Sequence, residues 1–193
     1  MSMTSAVNRV FRFDGNSSRR AVVMVGVLAL VALMPLIAAA QPVPPPWRER
    51  LPEARPHIQV SIEGVAVDAT VARESGEQQL GLGYRDGLAD GTGMLFIYAD
   101  PSPRSFWMKG MRFCLDIIWI EGDRVVGAAE SVCPEAAGTP DSDLPSYPSP
   151  EAIRYVLEVP AGWMEEHGVE AGSEVTFDPD PASLLLQVGV QSD

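Results

Sequence analysis

The sequence predicts a mainly β fold, a small compact β-barrel-like domain with one or two short helices, over residues 57–178. Three observations predict it. Short runs rich in Val and Ile recur along this stretch. Gly, Pro and Asp turns separate them. No alternation of strand and helix patterns appears, so a parallel βαβ architecture is not expected.

The elements follow in order. HIQVSI (57–62) and VAVDATVA (65–72) alternate in polarity about Glu63-Gly64 and read as a hairpin. Ser75 and Gln78 have capping-box spacing, which predicts a short helix from about Gly76, limited by Gly81, Gly83 and Gly87. GMLFIY (93–98) is an apolar run of the kind that forms a buried strand. Asp100-Pro101-Ser102-Pro103 predicts a turn. RSFWMK (104–109) predicts an extended segment with Trp107 and Lys109 on one face, Phe106 and Met108 on the other. LDIIWI (115–120) and RVVGAA (124–129) flank Glu121-Gly122-Asp123 and form the clearest hairpin.

Residues 133–150 form a long polar loop with five prolines; loops this long are usually functional or mobile. RYVLEV (154–159) is a further strand. Pro160 to His167 predicts a short helix with proline in its first turn and Gly168 at its end. GVEAGSEVTF (168–177) supplies a last turn and strand. Residues 179–193 contain LLLQV without a partner pattern and are expected to be a flexible tail. The sum is about seven or eight strands and two helices.

The chain ahead of the domain has a different character. Arg9, Arg12, Arg19 and Arg20 precede residues 21–40, which carry no charge. That stretch fits a secretory signal or a membrane anchor with its arginines held inside. Pro35, where the apolar region should end, and Ala38 and Ala40 before Gln41 favour cleavage. Either way the domain is expected to be extracytoplasmic: periplasmic, secreted or membrane-anchored, touching the membrane through this segment if it stays uncleaved. Residues 41–56, with PVPPPWRERLPEARP, read as a proline-rich linker that holds the domain off.

Without residues 1–40 the chain keeps 10 of its 14 basic residues and 25 of its 26 acids, a net charge of −15. Such a domain repels phosphate backbones, so no nucleic acid partner is expected. The two cysteines, Cys114 and Cys133, could pair in an oxidising compartment. With Gly122-Asp123 as the turn, however, Cys114 faces about Ser131 and Cys133 is only a diagonal neighbour. The spacing therefore permits a disulfide without demanding one.

Between about Ile58 and Phe177 the sequence resembles the bacterial and archaeal family called domain of unknown function 192 (DUF192). The resemblance rests on Gly81-Leu82 with Arg85, GMLFIY at 93–98, PRSFWMK at 103–109, LDIIWI at 115–120, Tyr147-Pro148-Ser149, YVLEVPAG at 155–162 and Gly168-Val169 through Gly172. FWMK followed closely by LDII is its most specific part. The family usually has methionine where Gly83 stands, often asparagine at Gly110, commonly proline at Cys114, and often a second cysteine near Leu144. The resemblance implies a compact, mainly β fold and no particular reaction.

Lys109 is the only lysine in the chain, against 13 arginines, and it sits within an aromatic motif. A ligand anion could pair with Lys109 while an apolar part rests on Trp107. The candidate ligand-binding surface is Arg85, Arg104, Trp107, Lys109 and Asp116, with the 133–150 loop as a lid. The competing structural explanation is that Lys109 pairs with Asp116 or Glu158 and ties two strands. Catalytic readings lack a motif: neither His57 nor His167 lies near a serine or cysteine with a supporting acid in a recognised triad motif, and no phosphate loop, CxxC or HxxxH spacing occurs, so no cofactor is implied. A Cu(I) site from Met108, Met111 and Cys114 is the one metal reading, against which spacing by three alternates faces in an extended chain.

The expected function is thus a non-enzymatic module for a small ligand or protein partner. The alternatives are an enzyme using Lys109 and Asp116 as an acid–base pair, and a purely structural or assembly role.

Overall fold

The first expected hairpin is formed by β1 (His57–Ile62) and β2 (Val65–Ala72), with Val60 opposite Val67. The coordinates are a computed structural model that describes residues 43, 44 and 46 and the continuous stretch 55–186. The arginine-rich start, the apolar segment and most of the linker lie outside the described residues, as do the signal and anchor expectations that fall on them. Among the described residues no helix is long and apolar enough to cross a membrane.

After the hairpin come α1 (Ser75–Leu80), β3 (Thr92–Ser102), β4 (Ser105–Phe106), β5 (Leu115–Glu121), β6 (Arg124–Val132), β7 (Tyr147–Pro148), β8 (Ile153–Pro160), α2 (Trp163–His167), β9 (Val175–Asp178) and α3 (Pro181–Leu186). Seven strands form one sheet in the order β6-β5-β8-β3-β2-β1-β9, and β4 with β7 forms a separate ribbon. The fold is therefore mainly β, with a curled half-barrel sheet. The curl brings the edge strands together at one end. Arg124 and Glu174 form an antiparallel bridge, Val125 N–H donates to the Ser173 carbonyl (3.0 Å), and Val175 N–H to that of Asp123 (2.7 Å).

Strand alternation divides the core in two. Leu95, Ile97, Ile118, Ile120, Leu157 and Val159 face the concave interior. Met94, Phe96, Ile117, Trp119 and Val156 face outward, beneath Leu82, Phe106 and Met108. Strands covered on both faces read as unbroken apolar runs, which explains GMLFIY and LDIIWI.

Five expectations are corrected. The sheet is not wholly antiparallel: β2 and β3 pair in parallel, with α1 in the crossover, so one βαβ unit is present. Its helix spans six residues, too short to show a helical period. The cap of α1 is Glu74 rather than Ser75, because buried Glu77 accepts the N–H groups of Arg73 (3.0 Å) and Glu74 (3.1 Å). Asp100-Pro101 does not end β3, which runs to Ser102 through an irregularity after Ile97; Pro160 likewise ends β8 instead of opening α2. The described part of the tail is not featureless, since α3 places Leu184 in the interior core, and the Leu184 carbonyl accepts from Arg73 Nη1; residues 187–193 lie outside the described residues.

The β5–β6 hairpin begins as expected, with Glu121 opposite Arg124, and then departs. Two irregularities each add a residue to β6, so Leu115 meets Val132. The next pair outward is Cys114 and Cys133, which are joined as a disulfide. Asp116 holds the second bulge. It is fully buried, and its Oδ1 accepts the N–H of Ser131 (2.7 Å), a residue with φ of 50°. The same carboxylate accepts from Gly162 (3.1 Å) and Met164 (2.9 Å) at the start of α2.

Replacing Asp116 by Ala orphans three N–H groups. It is expected to lower stability in urea denaturation by at least about 3 kcal/mol, given ~1–3 kcal/mol for each buried group left unpaired. A loss under about 1 kcal/mol would show that these groups find water instead. Exchanging both cysteines for Ala is expected to lower stability by about 3 kcal/mol, measured the same way.

Candidate functional site

Glu158 lies on β8 opposite Met94 of β3 and Ile117 of β5. Those neighbours belong to the outward core, so alternation directs Glu158 to the outer face. It is 6% exposed, and its Oε2 is buried without a hydrogen-bond partner in the protein. Burial pushes the carboxyl up to about 8, with the Arg85 cation pulling partly the other way. At neutral pH Glu158 is therefore mostly protonated.

Tyr98 follows four residues after Met94 on the same face of β3. Its hydroxyl is pushed up to about 12 by burial, against the pull of Arg104 and with a push from Glu158. The Arg104 guanidinium stacks 3.8 Å from the Tyr98 ring centre, and its Nη2 donates to the Asp100 carbonyl. Across from these strands lie the end of α1 and residues 105–111. Between them is a cavity of about 90 Å³, lined among others by Gln78, Tyr98, Ser105, Trp107, Lys109 and Glu158. Phe96 and Phe106 meet edge to face at 5.1 Å and close its apolar side. The Gln78 amide donates to the Ile97 carbonyl (2.9 Å), which ties α1 to β3.

The segment carrying Lys109 is seated on the turn after α1. Tyr84 N–H donates to the Gly110 carbonyl (2.8 Å), and the Tyr84 ring lies over Gly110. Gly110 has φ of 73°, and a Cβ there would come within 2.9 Å of that ring, so both conformation and contact require glycine. Phe106 and Met108 are buried, whereas Trp107 and Lys109 are exposed. The Lys109 ammonium stands 5.1 Å from the Trp107 ring centre and pairs with Asp141 of the 133–150 loop. Lys109 and Met111 also line a second, more open cavity of about 390 Å³ beneath residues 134–139 of that loop.

Of the five residues singled out in the sequence, Trp107 and Lys109 line the small cavity, Arg104 stacks on its Tyr98, and Arg85 acts on its Glu158. Asp116 does not join them. It shares the inner face with its register partner Val159, and its two oxygens receive three backbone N–H groups. Lys109 thus has Asp141 as its acid, not Asp116 or Glu158. The Cu(I) reading is corrected as well: Cys114 is in a disulfide and offers no thiolate, and Met108 is packed in the outer core. Among the described residues no cluster of three or more His, Cys, Asp or Glu could hold a metal ion.

His57 bonds Asp68 (3.0 Å), and His167 stacks on Trp163 (4.6 Å); neither lines the cavity. As site residues, Glu158 figured in the sequence only as an ion-pair partner of Lys109, and Tyr98 only as the end of the GMLFIY strand. The signal for Glu158 was an acid interrupting an apolar run on a strand whose two faces are both covered.

Comparison with known proteins shows a family and a fold. The family DUF192, described as an uncharacterized ACR, matches residues 58–177. No curated protein matches. A crystal structure of a protein of unknown function from Novosphingobium aromaticivorans DSM 12444 is similar, with a TM-score of 0.54 and 29% identity over 62% of this chain and 83% of that one. A second, from Sinorhizobium meliloti 1021 and described as a candidate transcription regulator, has a TM-score of 0.55 and 24% identity over 63% of this chain and 92% of its own; it bears on the fold alone. With the family pattern spanning the whole sheet from β1 to β9, this chain belongs to the DUF192 family.

Proposed function

We propose that this domain acts outside the cytoplasm as a non-enzymatic module that binds a small ligand in the cavity over Glu158. One observation carries the reading. A buried carboxyl, one oxygen of which lacks any hydrogen-bond partner in the protein, lines a concavity rimmed by a 46% exposed Trp107. Buried polar groups are nearly always paired, so an unpaired one calls for a reason. For packing alone, valine or leucine would serve better at this position, because burying an unpaired carboxyl destabilises the fold.

The other features agree. The cavity is concave and small, which suits a small molecule better than a protein surface. Its lining includes no cysteine or histidine, and Ser105 bonds Ser146 with no histidine in the lining to serve as its base, which argues for binding over catalysis. The Cys114–Cys133 disulfide supports an oxidising compartment, as do the basic and apolar N-terminal segments. The net acidity supports a partner other than nucleic acid.

Retaining Glu158 for binding should be visible in stability. Its folded-state value of about 8 lies above the ordinary 4.5, so the folded protein holds a proton that the unfolded chain releases. Stability from this group is full below about pH 4.5, falls as pH rises towards 8, and is flat beyond. Glu158→Gln is therefore expected to gain stability over the parent between pH 5 and pH 8, with the gap widest at the alkaline end. Urea denaturation across that range checks it; a gap that does not change with pH would show that Glu158 is ionised when folded.

Binding itself is checked by a thermal-shift screen of small polar compounds. A compound that stabilises the parent should lose at least about tenfold in affinity, ~1.4 kcal/mol, in Lys109→Met, and should be excluded by Ser105→Trp at the mouth. Both variants should melt within a few degrees of the parent. Hits unaffected by either would remove this cavity as the site, and a large fall in the Lys109→Met midpoint would assign Lys109 a structural role.

A further inference from the structure

The cavity also constrains what it can hold, granted the binding reading above. We infer that the bound group is a carboxylate, met by the Glu158 carboxyl as hydrogen-bond donor and by the Lys109 ammonium as counter-charge. Size comes first. About 90 Å³ admits a headgroup of a few atoms, with the remainder of any larger molecule lying out past Trp107.

Charge comes second. The groups facing Glu158 are Arg85 from the turn after α1, Tyr98 from β3 with Arg104 stacked on it, and Lys109 from the segment after β4. From β5 the neighbour is Ile117, and from α1 Gln78 and Gln79, all without charge. Arg85 thus acts on the carboxyl itself, Lys109 lines its cavity while paired with Asp141, and Arg104 stacks on the cavity's Tyr98, in a chain whose formal net charge is −12. An ammonium ligand would approach Glu158 against the field of Arg85 and beside the Lys109 ammonium.

Donors come third. Glu158 in its acid form, Tyr98 and Lys109 all offer protons, so the complementary guest is an acceptor. An O–H donating to a carboxylate is among the shorter and stronger hydrogen bonds. The protein supplies an internal example of half of this arrangement, since Lys109 already holds the carboxylate of Asp141.

The test follows the Trp107 indole N–H by NMR in the ¹⁵N-labelled protein. Acetate, acetamide and methylammonium are titrated at pH 6.5 and pH 9.0. Acetate is expected to bind at pH 6.5 and to weaken about tenfold by pH 9.0, as Glu158 loses the proton it donates. Glu158→Gln retains a donor that does not titrate, so it should bind acetate with equal affinity at the two pH values. An N-acetyl dipeptide with a free C-terminus, compared with its amide, separates a peptide end from a free organic acid as the source of the carboxylate.

Acetate affinity in the parent that does not change with pH would overturn the inference, as would methylammonium binding that strengthens at pH 9.0. If acetamide or methylammonium binds instead and Ser105→Trp blocks it, the cavity remains a binding site and only the carboxylate is wrong. If none of the three moves the Trp107 signal, the binding reading falls as well.

Discussion

The carboxylate of Asp116 is the constraint on which the rest of this fold depends. It sits on β5, between β6 and β8, and receives N–H groups from two separate parts of the chain. Towards β6 it holds Ser131 in a left-handed conformation, which fixes a bulge and advances the register by one residue. That advance sets Cys133 opposite Cys114. Towards α2 it satisfies N–H groups that a five-residue helix cannot satisfy itself. Leaving a buried N–H unpaired costs about 1–3 kcal/mol, so one side chain that receives three of them secures the hairpin, the disulfide and the helix start together.

Glu158 is the counterpart on the other face. It stands on β8 opposite Ile117, one residue from Asp116, yet its environment is the reverse. Three backbone donors surround Asp116; Glu158 has apolar strands, a tyrosine and the field of Arg85. Burial without donors favours the protonated acid at Glu158. Two buried carboxyls a residue apart in register thus stand in different environments: one anchors backbone, and the other keeps an oxygen without a hydrogen-bond partner in the protein.

What the sequence revealed follows the range of the interactions involved. The β1–β2 and β5–β6 hairpins were legible because their turns and alternating faces are local. The two bulges of β6 were not, because turn residues and alternation express neither an inserted residue nor the buried hydrogen bond from Ser131 to Asp116 that holds one of the bulges. The parallel β2–β3 pairing was hidden by the brevity of α1. The tail helix was hidden because Leu184 finds its partners in a core built by distant strands. Within the site, the solitary lysine beside Trp107 stood out by composition. Glu158 and Tyr98 did not, since their significance lies in burial, which composition does not express.

The 133–150 loop joins the two halves of this design. It leaves the sheet at Cys133, which is bonded to Cys114, and returns to it through β7, which pairs with β4 next to Trp107. Between those ends Asp141 holds Lys109. Both ends are fixed, one covalently and one by strand pairing, while the middle contact is an exposed ion pair of the kind that contributes about 1 kcal/mol or less. A loop fastened in this way can exchange its central contact without losing its ends. The ammonium that lines the small cavity is therefore held by the weakest of the loop's three attachments, and breaking that ion pair would leave the hairpin, the disulfide and the Asp116 anchor as they are.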